Sequence, residues 1–192
     1  MLLVVLVQFG SWSLAQVSPQ VEQIRFSSIT RANGLADHTI NAIFKDSEGF
    51  MWFGTRNGLC RFDGIDFVTY RSEEDPQSIS GNRILSIAED ASGFLWIGTY
   101  ANGICRYDRE LDEFIRYDQG YGMGNRVNRV AALNDGSLWA CTNIGLAKYV
   151  AERDSFEVYY HNPSDPNSLN FPSVSCKFDA KPESTIICGL FS

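Results

Sequence analysis

From Thr39 to Arg71 the apolar residues fall into four short runs: Thr39–Lys45, Phe50–Thr55, Leu59–Phe62 and Phe67–Arg71. Between them stand Asp46-Ser-Glu-Gly49, Arg56-Asn57-Gly58 and Asp63-Gly64. Gly, Asn and Asp supply the backbone conformations of tight turns, so the pattern predicts four strands joined by short connections. None of these connections has room for a crossover helix, which makes the sheet an antiparallel meander. Its strands are apolar on both faces, with Ala42, Ile43 and Phe44 consecutive and Phe50 to Phe53 likewise. Such a sheet must be covered on both sides, and neighbouring sheets of the same kind can do that.

The unit repeats. Asp46-Ser-Glu-Gly49-Phe-Met-Trp52-Phe-Gly54-Thr55 returns as Asp90-Ala-Ser-Gly93-Phe-Leu-Trp96-Ile-Gly98-Thr99. It returns again, with two fewer residues between Asp and Trp, as Asp135-Gly136-Ser-Leu-Trp139-Ala-Cys141-Thr142. Trp52, Trp96 and Trp139 follow one another at 44 and 43 residues. A second motif trails each copy: Asn57-Gly58-Leu-Cys60-Arg61-Phe62-Asp63, then Asn102-Gly103-Ile-Cys105-Arg106-Tyr107-Asp108, then the weaker Ile144-Gly145-Leu-Ala147-Lys148-Tyr149. Four strands in a unit of about 40–45 residues is the arrangement of a β-propeller blade, whereas a parallel β-helix needs much shorter repeats. The expected fold is therefore all-β, an incomplete propeller of four-stranded blades.

The expected boundaries are blade 1 at 39–78, blade 2 at 79–121, blade 3 at 122–166 and a partial fourth blade at 167–192. Even the linker recurs, as Asp75-Pro76-Gln-Ser78 and Asp165-Pro166-Asn-Ser168. In the fourth unit Ile187 stands in the Trp place. Residues 16–38 contain Ile24-Arg-Phe26 and Gly34-Leu35, which read as a strand completing a last blade whose other strands are missing. Closed propellers have 4–8 blades. The count leads to the expectation of a piece of a longer array or a truncated reading frame, rather than a self-sufficient small domain.

Composition adds little that is specific. A net charge of −7 excludes a basic face for nucleic acid over this segment as a whole. Residues 1–15 open with the apolar Leu2 to Val7 and end in Ser13-Leu14-Ala15, small residues at −3 and −1 that suit signal-peptide cleavage before Gln16. The alternative is a buried N-terminal strand. The stretch is too short to span a bilayer, which takes about 20 apolar residues. The five cysteines, Cys60, Cys105, Cys141, Cys176 and Cys188, form neither a CxxC nor a Cys/His cluster. A disulfide is allowed but not indicated. No catalytic signature, metal-ligand spacing or cofactor motif is present, and His38 and His161 sit in turn-rich segments without neighbouring ligands.

The string running through Gly34, Leu35, Ile40, Ile43, Asp46, Gly49, Phe50, Trp52, Gly54, Thr55, Gly58, Leu59, Arg61, Phe62, Asp63, Gly64 and Phe67 resembles the two-component regulator propeller repeat. Cys141 departs from it where Gly is expected, and Ala147 stands in the Cys60 place. The resemblance implies the periplasmic sensor region of a hybrid sensor histidine kinase. There, paired propellers precede a sandwich domain, a membrane helix and the kinase of a phosphorelay, often with a receiver and a DNA-binding regulator. It implies as partners those downstream domains, a small-molecule or oligosaccharide ligand derived from complex glycans, and a homodimer of the full-length protein. It implies no enzyme activity for this segment and no cofactor or metal.

The Asp-x-x-Gly-x-x-Trp core also resembles the Asp-box turn of sialidase-type propellers. By that resemblance Asp46, Asp90 and Asp135, with Gly49, Gly93 and Gly136, shape turns, while Trp52, Trp96 and Trp139 pack between blades beside Gly54 and Gly98. A ligand site is then expected on the other face of the disc, where the second–third strand loops and inter-blade linkers gather. Its candidates are Arg56, Asn57, Tyr100, Asn102 and Asn143, with Asn82 nearby in a linker. Two other classes remain open. A glycan-cleaving propeller enzyme would need a carboxylate pair facing the channel, and a protein–protein scaffold would need exposed apolar blade surface.

Overall fold

The computed structural model describes residues 28–117, 122–171, 173, 175–179 and 185–189. Three four-stranded antiparallel meanders succeed one another along the chain. The first consists of β1 (Ile40–Lys45), β2 (Met51–Thr55), β3 (Leu59–Phe62) and β4 (Phe67–Tyr70), within a residue of the four runs read from the sequence. The second consists of β5 (Ile84–Glu89), β6 (Leu95–Thr99), β7 (Ile104–Asp108) and β8 (Glu113–Tyr117). The third consists of β9 (Val127–Ala132), β10 (Leu138–Thr142), β11 (Gly145–Val150) and β12 (Ser155–Tyr160), and a two-stranded sheet of β13 (Ser175–Asp179) and β14 (Thr185–Gly189) follows. The expectations for residues 1–15 and for Ile24–Phe26 lie outside the described residues.

Strand alternation sorts each blade's side chains onto two faces. Trp52, Leu59 and Tyr70 point at the second blade, where they join Ile84, Leu95, Tyr107 and Phe114 in one buried cluster. Trp96, Ile104 and Tyr117 point at the third, against Val127, Leu138 and Phe156. Both indoles are fully buried. At roughly 25 cal/mol per Å2 over about 200 Å2, each contributes on the order of 5 kcal/mol as an upper bound. The opposite face of the first blade, with Phe53, Cys60 and Phe67, is capped by Leu35 and Ala36.

The first strands of the blades lie side by side, β1 against β5 and β5 against β9. Glycine makes that approach feasible. A Cβ on Gly54 would lie 2.6 Å from Ile84 Cγ2, and one on Gly98 would lie 2.9 Å from Val127 Cγ1. Cys141 takes the equivalent place in the third blade, and it is disulfide-bonded, which the cysteine spacing had not indicated. Cys60 and Cys105 remain free and buried, and burial pushes the Cys105 thiol up to about 11.

Trp139 is half-buried, packing on Tyr159 at 5.8 Å and against the cluster of Cys141 and Leu146. Trp52 and Trp96 each face the blade that follows them, and for Trp139 the side chains of that next unit lie outside the described residues. The turn before Trp139 has the same length as the other two, but Leu133 stands where they carry Asp46 and Asp90. The Trp139 indole N–H therefore donates to Ser137 Oγ (2.9 Å), and Ser137 in turn donates to Asp135.

Candidate loop-face binding site

The two ends of the blades do different work. At the tight-turn end, Asp46 Oδ1 accepts from the backbone N–H of Glu48 (3.1 Å) and Phe50 (2.9 Å), while Oδ2 accepts from Trp52 Nε1 (2.7 Å). Asp90 repeats this with Ser92, Phe94 and Trp96 at 2.9, 3.1 and 2.7 Å. Each aspartate thus fixes its turn and satisfies the donor of a buried indole. Gly49 and Gly93, with φ of 98° and 85°, supply the left-handed residue these turns require.

Arg109 then ties the first two blades together. Its guanidinium reaches Asp46 Oδ2 (2.8 Å), Glu89 Oε1 (2.7 Å) and Glu48 Oε2 (3.4 Å), and Nε donates to the Gly93 carbonyl. Burial alone would raise the Asp46 pKa, but the hydrogen bonds from Trp52 and Arg109 outweigh it and hold the carboxyl below its usual range. A cleft of about 330 Å3 opens beside this network, lined by Ser47, Glu48, Phe94 and Arg109 among others. Its one cation is already spent on three carboxylates.

A second clasp recurs at both blade interfaces. Asp112 Oδ1 accepts from Tyr70 (2.8 Å) and Tyr107 (2.5 Å), and Arg61 donates to the Tyr107 hydroxyl. One blade on, Asp154 Oδ1 accepts from Tyr117 (2.5 Å) and Tyr149 (2.6 Å), and Arg106 donates to the Tyr149 hydroxyl. Both aspartates hold left-handed backbone, φ 55° and 45°. Tyr70, Tyr107, Tyr117 and Tyr149 all have raised pKa values, first through burial, with further increases from their aspartate contacts and, for Tyr70, from Tyr107. This chemistry holds blades together.

The loop-and-linker end is built differently. Thr55, Thr99 and Thr142, all fully buried, donate from Oγ1 to the carbonyls of Gly58, Gly103 and Gly145, which closes each second–third strand loop. The linkers are zipped to these loops: Gly58 N–H donates to the Asn82 carbonyl (2.7 Å) and Gly103 N–H to the Asn125 carbonyl (2.8 Å). Side chains here therefore stand on fixed backbone.

Arg56 and Asn57 are exposed at the first loop, where Arg71 Nε donates to the Asn57 carbonyl. Asn102 lies close over Gly81, whose added Cβ would fall 2.6 Å from its Oδ1. Asn143 Oδ1 accepts from Arg126 N–H (3.2 Å), and its Nδ2 donates to Asn125 Oδ1 (3.4 Å). Tyr100 is 38% exposed. Two guanidinium carbons lie over its ring, Arg83 at 4.0 Å and Arg126 at 5.0 Å from the centroid. The structure thus brings Tyr100 and Asn143 into one cluster through Arg126, whereas Arg56 and Asn57 hydrogen-bond to Thr39 and Arg71 at the first loop. Sequence reasoning passed over Arg83 and Arg126, although the repeated Asn82-Arg83 and Asn125-Arg126 pairs before β5 and β9 carried the signal.

A further cleft of about 320 Å3 follows the first strands of the blades, with Asn41, Ile43, Leu85, Ile87, Asn128 and Arg129 in its lining; no carboxylate lines it among the described residues. Among the described residues there is also no group of three or more metal-ligating side chains and no helix long and apolar enough to cross a membrane.

Residues 34–57 and 78–101 match the family described as two component regulator propeller. Histidine kinase P4 of Formosa agariphila is 45% identical over 56 residues, which is 29% of this chain and 4% of that protein. The extracellular domain of the hybrid two component system BT3049 from B. thetaiotaomicron superposes with a TM-score of 0.68 at 26% identity, covering 79% of this chain and 22% of that one. The extracellular domain of BT4673 from the same organism gives a TM-score of 0.68 at 24% identity, over 84% and 22% of the two chains, and speaks to the fold alone. The chain spans less than a quarter of the length of each of these relatives. Blade architecture, the repeated Asp–Trp turn and these matches lead to one conclusion: residues 34–57 and 78–101 are repeats of the two component regulator propeller type.

Proposed function

We propose that this chain is a ligand-sensing segment of an extracytoplasmic two-component sensor, and that its ligands are glycan-derived. The observation that carries this reading is the exposed Tyr100 ring on the loop-and-linker face, set among Arg83, Arg126 and Asn143 on backbone pinned by inter-blade hydrogen bonds. A sugar ring stacks on an aromatic face and hydrogen-bonds to polar groups around it, and such sites sit on loops held by a rigid scaffold. Extracytoplasmic placement is supported by the disulfide at Cys141, since disulfides persist in oxidising compartments. The signal peptide ending at Ala15 belongs to the same reading. So do a membrane-anchored kinase elsewhere in the full-length protein and a homodimer that would transmit the signal.

The glycan-cleaving alternative would need a carboxylate pair at the cleft along the first strands, and the residues described there are amide, hydroxyl, guanidinium and aliphatic. The test is a calorimetric titration of the chain with a panel of oligosaccharides from polysaccharide digestion, repeated on Tyr100→Ala. Binding that weakens in the variant, with the oligosaccharide recovered intact, supports the proposal. Turnover of the oligosaccharide, or no binding by any member of the panel, overturns it.

A further inference from the structure

The whole chain is acidic, with 23 Asp and Glu against 16 Lys and Arg, yet the cluster on the loop face has the opposite sign. Arg83 and Arg126 are both exposed. Neither forms an ion pair with a carboxylate among the described residues. Other arginines of the blades are committed. Arg109 binds three carboxylates, Arg106 pairs with Asp154, and Arg116 donates to the carbonyls of Asp75 and Ser78.

Backbone geometry holds the two free guanidinium groups together. The Arg83 carbonyl accepts from Tyr100 N–H (2.9 Å) and the Arg126 carbonyl from Asn143 N–H (3.0 Å). Both Cζ atoms lie within 5.0 Å of the Tyr100 centroid, so they are no more than about 10 Å apart. Arginine keeps its charge at all working pH values and offers five N–H donors in a planar fork that fits carboxylate or sulfate oxygens. Two such groups side by side repel each other, and an anion between them turns the repulsion into two attractions. The Tyr100 ring, 38% exposed, is the platform over which both guanidinium groups are held.

We propose that Arg83 and Arg126, held over Tyr100, receive the carboxylate or sulfate of an acidic glycan fragment, with both arginines on the anionic group. This rests on the ligand-binding reading above and narrows it to acidic ligands. The probes are trigalacturonic acid, its neutral methyl ester, a sulfated chondroitin disaccharide, a neutral galactose trisaccharide and inorganic sulfate. They are titrated calorimetrically into the chain and into Arg83→Gln, Arg126→Gln and the double variant. Unchanged melting temperatures exclude misfolding, since both side chains are exposed.

An acidic sugar that binds, weakens about tenfold or more in each single variant and weakens further with rising salt supports the proposal. The sulfated disaccharide and the uronate distinguish which anion is held. Equal binding of the acid and its methyl ester, or of inorganic sulfate and the acidic sugars, overturns the proposal and leaves the ligand-binding reading standing. Binding of the neutral trisaccharide alone does the same. If no sugar binds at all, both readings fall.

Discussion

The three tight turns form an internal experiment, because Asp46 and Asp90 hold one motif position in two environments, while the third turn has Leu133 in that place and Asp135 two residues later. Asp46 has a fully buried carboxylate that holds the Trp52 indole, the Phe50 amide and Arg109. Asp90 makes the indole and amide contacts without an arginine. Asp135 is exposed and reaches only Ser137. Removing one partner of a buried charge pair costs about 3–5 kcal/mol, and leaving a buried indole N–H unsatisfied costs about 1–3 kcal/mol. Arg109 keeps Glu89 and Glu48 when Asp46 is lost, which holds the total near the lower end. We expect about 3–5 kcal/mol for Asp46→Ala and about 1–3 kcal/mol for Asp90→Ala, with no measurable loss for Asp135→Ala. Each kcal/mol moves the melting midpoint by roughly 2–4 °C in a chain of this size, so thermal melts followed by circular dichroism resolve the ranking. Repeating Asp46→Ala in an Arg109→Ala background should bring its cost down to that of Asp90→Ala. Equal losses at all three positions, or a silent Asp46→Ala, would refute the assignment of the difference to burial and to Arg109.

Acid should unfold the protein through the same groups. The pKa of Asp154, which burial tends to raise, is held low by Tyr117, Tyr149 and Arg106, and Asp46 is lowered as well. Their stabilisation is therefore present above the unfolded value near 3.8 and is lost as pH falls through the folded values; an acid titration with Asp154→Asn should show a smaller pH-dependent loss. On the alkaline side the four clasp tyrosines are raised above 10.0, so their contribution is lost as pH rises past that value, measurable by melts between neutral and strongly alkaline buffer. Gly98→Ala places a Cβ 2.9 Å from Val127 and 3.2 Å from Val130, which should cost about 1–3 kcal/mol of overpacking, seen as a shift in the urea midpoint. Reductant should lower the melting temperature of the wild type and leave Cys141→Ser unchanged, because Cys141 is the disulfide-bonded cysteine and Cys60 and Cys105 are free.

The blades were legible because repetition amplifies weak signals. One Asp-x-x-Gly-x-x-Trp is ambiguous, whereas two of them and a third Gly-x-x-Trp at nearly constant spacing fix the strand order and the buried face. The inter-blade clasps were not legible. Tyr70 and Asp112 are 42 residues apart, and Asp112 acts from a left-handed turn position that its own sequence does not advertise. Arg109 is similar: it sits between two acidic neighbours on the chain but pairs with Asp46 and Glu89 from two other turns. At the loop face, Tyr100 and Asn143 could be named from topology alone, because connections alternate between the two ends of a meander. Arg83 and Arg126 could not be paired with Tyr100 from sequence, since their convergence depends on how the linkers are zipped to the loops. The Trp139 turn differs from the other two because Leu133 stands in the aspartate place, which replaces the direct Asp–Trp hydrogen bond with a serine relay.

Hydrogen–deuterium exchange, with and without the oligosaccharide that binds most tightly, tests the central claim most directly. The account predicts that protection concentrates at residues 55–58, 81–84, 100–103, 125–126 and 143, the loops and linkers around Tyr100, while the tight turns at 46–49, 90–93 and 135–137 exchange as before. Protection confined to those tight turns, or no change at any of these segments under saturating ligand, would contradict it.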